Sequence, residues 1–150
     1  VKAGEKLDIF VSTKPAAKFT VEIFRMGYYG GAGARSMTTL GPFEGKTQPV
    51  PEMGAQRLRE CQWEASTSLT IPADWPSGVY LGKLALVDDP VESYVIFIVK
   101  SRRPADVLFQ CSDFTWQAYN KWPGWDSLYD DGTPKRDERF PDPYNMGVNA

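Results

Sequence analysis

The sequence predicts a mainly β protein: an immunoglobulin- or fibronectin-like β-sandwich over residues 1–103, followed by the opening segment of a second domain over residues 104–150. Three observations carry this. Short apolar–polar alternations recur through the first hundred residues, with turn residues between them. Gly (13) and Pro (12) are both frequent, which favours strands and turns over long helices. The pattern then changes at Ser101-Arg102-Arg103-Pro104, a polar, proline-stopped stretch with the composition of a linker.

The elements follow in order. Across residues 7–13, Leu7, Ile9 and Val11 alternate with Asp8, Phe10 and Ser12, and across 19–25 Phe19, Val21 and Ile23 alternate with Thr20, Glu22 and Phe24. Each is a period-2 pattern with one apolar face. Lys14-Pro15 and the short run after it form the turn between them. Gly27, Gly30, Gly31 and Gly33, interleaved with Tyr28 and Tyr29, mark a tight turn with positive-φ positions. A phosphate cradle is the competing reading there, but no helical pattern and no Lys-Ser/Thr pair follows. From residue 34 to 60 the alternation is weak, and Gly41, Pro42, Pro49, Pro51 and Gly54 mark loops. Residues 68–71 form a short strand stopped by Pro72. Asp74-Trp75-Pro76-Ser77-Gly78 forms a turn whose Trp, or the Tyr80 after it, packs the sheet edge. Residues 79–87 and 92–99 are longer strands. The second is apolar on both faces, which predicts a central position.

Beyond the linker, residues 107–110 read as one short strand, and about 45 residues with a single good strand cannot close a core of their own. The chain opens on Val1 rather than Met, implying that a leader, a tag or the initiator Met was removed. It stops at Asn149-Ala150 inside the unfinished domain. Hence the expectation of a companion chain carrying the rest of that domain, with this chain as the smaller product of a cleaved precursor in one alternative.

Composition narrows the chemistry. The chain contains no histidine, so it holds no Ser-His-Asp triad, Cys-His pair or His-ligated zinc. Acid–base work falls to carboxylates, Lys, Tyr, Cys or a metal-activated water. With 17 Lys+Arg against 19 Asp+Glu, the formal charge of −2 gives no reason to expect a nucleic-acid partner. No apolar run approaches the roughly 18–20 residues of a membrane-spanning helix. Cys61 and Cys111 admit either one disulfide, which would pin the linker and contribute about 2–4 kcal/mol, or two buried free thiols.

Candidate site residues concentrate after residue 110. Thr115, Trp116, Tyr119 and Asn120, with Trp122, Trp125, Ser127 and Tyr129 close behind, make a dense group of aromatic and hydrogen-bonding side chains. If residues 107–110 begin an α/β sheet, this group sits at the sheet's carboxyl end, where such sheets place ligands. Thr115, Trp116, Trp122, Trp125 and Tyr129 are the expected substrate or partner contacts. Core or interface aromatics facing the rest of the domain are the alternative. Asp130-Asp131-Gly132 lacks the spaced ligands of an EF-hand, and Arg102-Arg103 and Lys135-Arg136 read as surface charge.

Four stretches carry a family resemblance. They are Phe24-Arg25-Met26-Gly27-Tyr28-Tyr29-Gly30-Gly31-Ala32-Gly33-Ala34-Arg35, residues 71–81, residues 94–99, and residues 115–120 with Ser127-Leu128-Tyr129. In order, they resemble the N,N-dimethylformamidase large-subunit family. The resemblance implies a β-sandwich followed by an α/β domain similar to class I glutamine amidotransferases. It also implies a mononuclear iron held by two tyrosines and one glutamate, hydrolysing a small amide through metal-bound water. Phenolate and carboxylate are hard donors that need no histidine beside them. Within this chain the resemblance implies Tyr119 as one ligand, with Asn120 beside it as a second catalytic residue. Tyr144 or Tyr129 is the second tyrosine. Glu138 sits in a charged loop, which leaves the carboxylate ligand to sequence beyond Ala150. The resemblance further implies a secreted or periplasmic location, with the cytoplasm as the alternative. A reading from a different class is a non-catalytic sandwich that binds carbohydrate or protein, its Trp rings stacking on sugars.

Overall fold

Six strands and one helix follow in chain order: β1 (Lys6–Ile9), β2 (Lys18–Met26), β3 (Ala34–Glu44), β4 (Thr67–Thr70), β5 (Gly78–Leu86), β6 (Glu92–Val99) and α1 (Asp113–Tyr119). The structure is a computed structural model and describes residues 1–124 and 126–130. It divides into two compact units, Val1–Gln48 with Trp63–Asp106, and Pro49–Gln62 with Val107–Ala150. Residues 49–62, which lie inside the 1–103 span, thus cluster with the residues after 106.

The first unit is mainly β. It contains a two-stranded antiparallel sheet, β1–β4, and a four-stranded antiparallel sheet in the order β3-β2-β5-β6. One core joins them. Ile9, Val11, Leu69 and Ile71 come from β1, β4 and their extensions, and Phe19, Val21, Ile23, Tyr80, Phe97 and Val99 from the larger sheet. The alternation read across residues 19–25 is realised: Phe19, Val21 and Ile23 are buried, while Thr20, Glu22 and Phe24 face outward and are partly exposed. Tyr80 is fully buried and stacked between Trp75, 5.1 Å away at 4°, and Phe97, 5.3 Å away at 19°. Its hydroxyl donates to the Pro76 carbonyl at 2.6 Å, which satisfies the one polar atom of an otherwise apolar plug. Burial pushes this phenol above its ordinary pKa, and the nearby Arg25 charge opposes that shift.

Two strands differ from the sequence reading. β3 runs eleven residues through a stretch whose alternation is weak. The cause is its register with β2, which shifts between Phe19 and Val21 and again between Ile23 and Phe24. Each bulge inserts an extra β3 residue and resets the period-2 pattern that sequence reading depends on. Gly41 sits at the first shift with φ +102°, where a Cβ would lie 3.0 Å from the Phe19 carbonyl oxygen. Pro42 is accommodated because β3 is an edge strand. β6 is the other edge, not a central strand, and its Tyr94 and Ile96 are half exposed. Its second apolar face belongs instead to a cross-strand row, Phe24–Leu81–Ile96, on the outer surface of the sheet.

A buried amide closes the sandwich where residues 49–62 depart. Gln48 is 5% exposed. Its Nε2 donates to the carbonyls of Val11 and Glu64, both at 2.9 Å, and its Oε1 accepts the Glu64 N–H at 2.8 Å. Its own N–H donates to Ser12 Oγ at 2.9 Å. Thr47 Oγ1 adds a bond to the Thr13 carbonyl, and Ser66 Oγ one to that of Val11. These side chains join three strand-like segments where the backbone ladder ends.

In the second unit, no strand forms over residues 107–110; Val107, Leu108 and Phe109 are exposed. The described residues show one helix, α1, and an isolated bridge between Ser127 and Asp130. Truncating Ile23 to Ala should cost about 2–5 kcal/mol by removing a fully buried side chain. The same change at Ile96, half exposed on the outer face, should cost under about 1.5 kcal/mol. Urea unfolding of the two variants checks the assignment of inner and outer faces, and equal costs would contradict it.

Candidate functional site

The second unit brings two of the candidate tyrosines together. α1 begins after Ser112, with Asp113 in its first turn, a favourable sign of charge there. It ends where Asn120 leaves helical geometry (ψ 118°). The Asn120 side-chain oxygen accepts the Trp122 N–H at 3.0 Å, a local side-chain turn that competes with helix, and Pro123 follows. The chain then returns to the helix end. Leu128 N–H donates to the Ala118 carbonyl at 3.2 Å, and Ser127 and Asp130 exchange two backbone bonds, at 2.7 and 3.3 Å. Lys121 pairs with Asp130 at 2.8 Å. The Tyr119 and Tyr129 rings consequently lie 5.2 Å apart at 49°. Both residues are more than half exposed, Tyr119 at 57% and Tyr129 at 65%.

Residues 49–62 hold this turn in place. Arg57 Nε donates to the Ser127 carbonyl at 2.8 Å and Nη2 to the Leu128 carbonyl at 2.9 Å. Arg59 Nη1 donates to the Pro51 carbonyl at 2.9 Å, and Nη2 lies 3.3 Å from Asp126 Oδ1. Gln56 and Arg57 adopt left-handed backbone, φ +57° and +62°, an unfavourable choice for side-chain-bearing residues. Two backbone bonds fix this excursion: Gly54 N–H donates to the Leu58 carbonyl at 2.8 Å, and Leu58 N–H to the Ala55 carbonyl at 3.1 Å. Asp126 Oδ2, Ser127 Oγ and Arg59 Nε are buried, with no hydrogen-bond partner among the described residues.

The remaining sequence candidates are dispersed. Thr115 is exposed, Trp116 half exposed and Trp122 half buried. The Asn120 side-chain oxygen is engaged in its own turn. Trp125, Glu138 and Tyr144 lie outside the described residues. Cys61 and Cys111 are free thiols, so the expected bridge is not formed in the structure. Both belong to the second unit, and a bond between them would not tie that unit to the sandwich. Burial pushes the Cys61 thiol above its ordinary pKa, away from the reactive thiolate. Arg57 and Arg59 are absent from the sequence reading. Their only signal is an Arg-Leu-Arg alternation inside a loop rich in Pro and Gly, whose partners lie about 70 residues away.

The resemblance implies a metal held in part by phenolate oxygens. Two phenol-bearing side chains stand side by side and are accessible, and phenolate oxygen suits a hard trivalent or divalent cation. No group of three or more Cys, Asp or Glu able to hold a metal occurs among the described residues. The tyrosine pair therefore fits the phenolate half of the set implied by the resemblance, and the described residues do not gather its carboxylate.

Fold and site define a chain with a mainly β unit and a second unit that presents a tyrosine pair. The family described as N,N-dimethylformamidase beta subunit-like, C-terminal, matches residues 20–146, and the chain belongs to it. No curated protein matches the chain, and neither does any solved structure. None of the described helices is long and apolar enough to cross a membrane.

Arg57→Ala should free the 127–130 turn. A hydrogen bond from a charged donor contributes about 1.5–3 kcal/mol, so the Leu128 amide, bonded to Ala118, should exchange its hydrogen roughly ten- to a hundredfold faster. Hydrogen-exchange mass spectrometry reads this directly. Unchanged protection over residues 126–130 would show that the arginine does not hold the turn.

Proposed function

We propose that this chain forms part of an amide hydrolase of the dimethylformamidase kind, in which Tyr119 and Tyr129 supply the phenolate ligands of an iron centre. The observation supporting this reading is the juxtaposition of the two rings at the end of α1, in a chain whose family is that of a dimethylformamidase subunit. Tyr119 is held by the helix and Tyr129 by the turn that Arg57 clamps, so the pair is set by backbone rather than by side-chain contact alone. Iron, when bound, would supply the Lewis acidity that activates water for attack on the amide carbonyl. Because this chain has no histidine, the proton acceptors it could itself offer there are carboxylate, Tyr or Lys side chains.

The substrate is a small amide, and the carboxylate ligand comes from outside the described residues. Val107, Leu108, Phe109 and Phe114 are each more than three-quarters exposed, a concentration of apolar surface that a companion polypeptide would cover. The rest of an α/β domain is the partner this reading requires, whether it is a separate chain or further sequence.

The test uses the native assembly. Iron content and hydrolysis of N,N-dimethylformamide are measured for the wild type, Tyr119→Phe and Tyr129→Phe. Each variant should lose bound iron and lower kcat by at least about a hundredfold, as loss of a metal ligand does. Full iron content and unchanged turnover in Tyr119→Phe would remove the ligand assignment. Absence of iron and hydrolysis in the wild type would remove the function itself.

A further inference from the structure

We propose that the turn of residues 27–35, together with Arg25 and Arg35, is a docking site for an acidic polypeptide segment. Arg25 on β2 and Arg35 on β3 are directly opposed Cα partners. Like charges in that relation destabilise a sheet unless a counter-charge sits with them. Both guanidinium groups converge on one ring, with Arg25 Cζ 5.9 Å and Arg35 Cζ 5.4 Å from the centre of Tyr29. The ring's negative face offsets part of the repulsion.

Among the described residues, no carboxylate pairs with either arginine. The ion pairs among the described residues are Lys6–Asp8, Lys18–Glu44, Lys46–Glu64, Arg59–Asp126, Lys83–Glu92 and Lys121–Asp130, and neither Arg25 nor Arg35 takes part. The two arginines also differ in role. Arg25 is built into the fold: Nη1 donates to the Tyr29 hydroxyl, Nη2 to the Ser77 carbonyl at 2.7 Å, and Nε is buried without a partner. Arg35 is exposed, its guanidinium lies over the ring, and among the described residues it forms no ion pair. A pair in which one guanidinium is anchored and the other is exposed suits recognition of carboxylates, which guanidinium groups bind bidentately.

The surroundings suit a polypeptide rather than a small anion alone. Tyr28 is 82% exposed beside the charges, and Tyr and Arg together are the residues that anchor protein interfaces. Gly30, Gly31 and Gly33 have φ of +69°, +98° and +77°, and a Cβ at any of them would meet nothing within 4 Å. Backbone there is uncovered, and a strand or extended peptide can approach it closely. The chain as a whole carries −2, so this concentration of positive charge runs against the background and would steer an acidic segment towards the turn.

The test is a titration of the isotope-labelled 150-residue chain with a synthetic heptaglutamate peptide, followed by amide NMR shifts. Saturable shifts confined to residues 25–36 are expected, weakening as salt is raised. Arg35→Ala should reduce affinity at least fivefold while leaving the spectrum of β5 and β6 unchanged. Tyr28→Ala should weaken binding without touching either charge. Absence of saturable shifts, shifts spread over lysines elsewhere, or equal affinity in Arg35→Ala would overturn the proposal. Inorganic phosphate producing the same shifts at the same concentration would also overturn it, by reducing the site to a general anion contact.

Discussion

Gln48 is the constraint on which the arrangement of this chain depends. Its one side chain satisfies backbone groups of both Val11 and Glu64, and so closes the sandwich across the gap where residues 49–62 leave and return. A chain excursion of that length carries a loop-closure cost that grows slowly with size, and a fully satisfied buried amide at its base offsets it. The sandwich core can therefore stay intact while the excursion folds with residues after 106. An apolar residue at position 48 would take this partner from the Glu64 N–H and carbonyl and leave the Val11 carbonyl with Ser66 Oγ alone, and a buried backbone group left unpaired costs about 1–3 kcal/mol.

The second unit is built differently. Its described residues bury little apolar side chain; Ala118 and Pro51 are the buried apolar residues there. Cohesion comes instead from charged donors on backbone carbonyls: Arg57 on Ser127 and Leu128, and Arg59 on Pro51. Such bonds are directional, and they set the turn carrying Tyr129 beside the helix carrying Tyr119. The left-handed backbone at Gln56 and Arg57 is strain that positions the clamp. The division of labour is clear: hydrophobic burial stabilises the sandwich, and hydrogen bonding places the tyrosines.

Sequence reading succeeded where one physical signal dominated. Period-2 alternation located β2 and its inward residues, positive-φ glycines located the 27–35 turn, and Trp75 and Tyr80 pack as aromatics stopping a sheet edge should. It lost β3 because two bulges reset the alternation, and it placed β6 centrally because an apolar outer row mimics burial. For the site, Tyr119 and Tyr129 were both visible as candidates, but their adjacency depends on Leu128 bonding to Ala118, which no local pattern encodes. Arg57 and Arg59 are not legible for the same reason: Arg57 bonds the remote carbonyls of Ser127 and Leu128, and Arg59 the remote carboxylate of Asp126. The absence of histidine is legible at once and leaves this chain mainly oxygen donors for a hard metal ion.

The central claim is that Tyr119 and Tyr129 act together as ligands on one metal ion. Anomalous X-ray scattering from crystals of the native assembly, recorded on either side of the iron absorption edge, locates that ion without reference to activity. A single iron peak within bonding distance, about 2 Å, of both phenol oxygens is expected. A peak bonded to neither tyrosine, or bonded to Tyr119 with Tyr129 turned away, would contradict it.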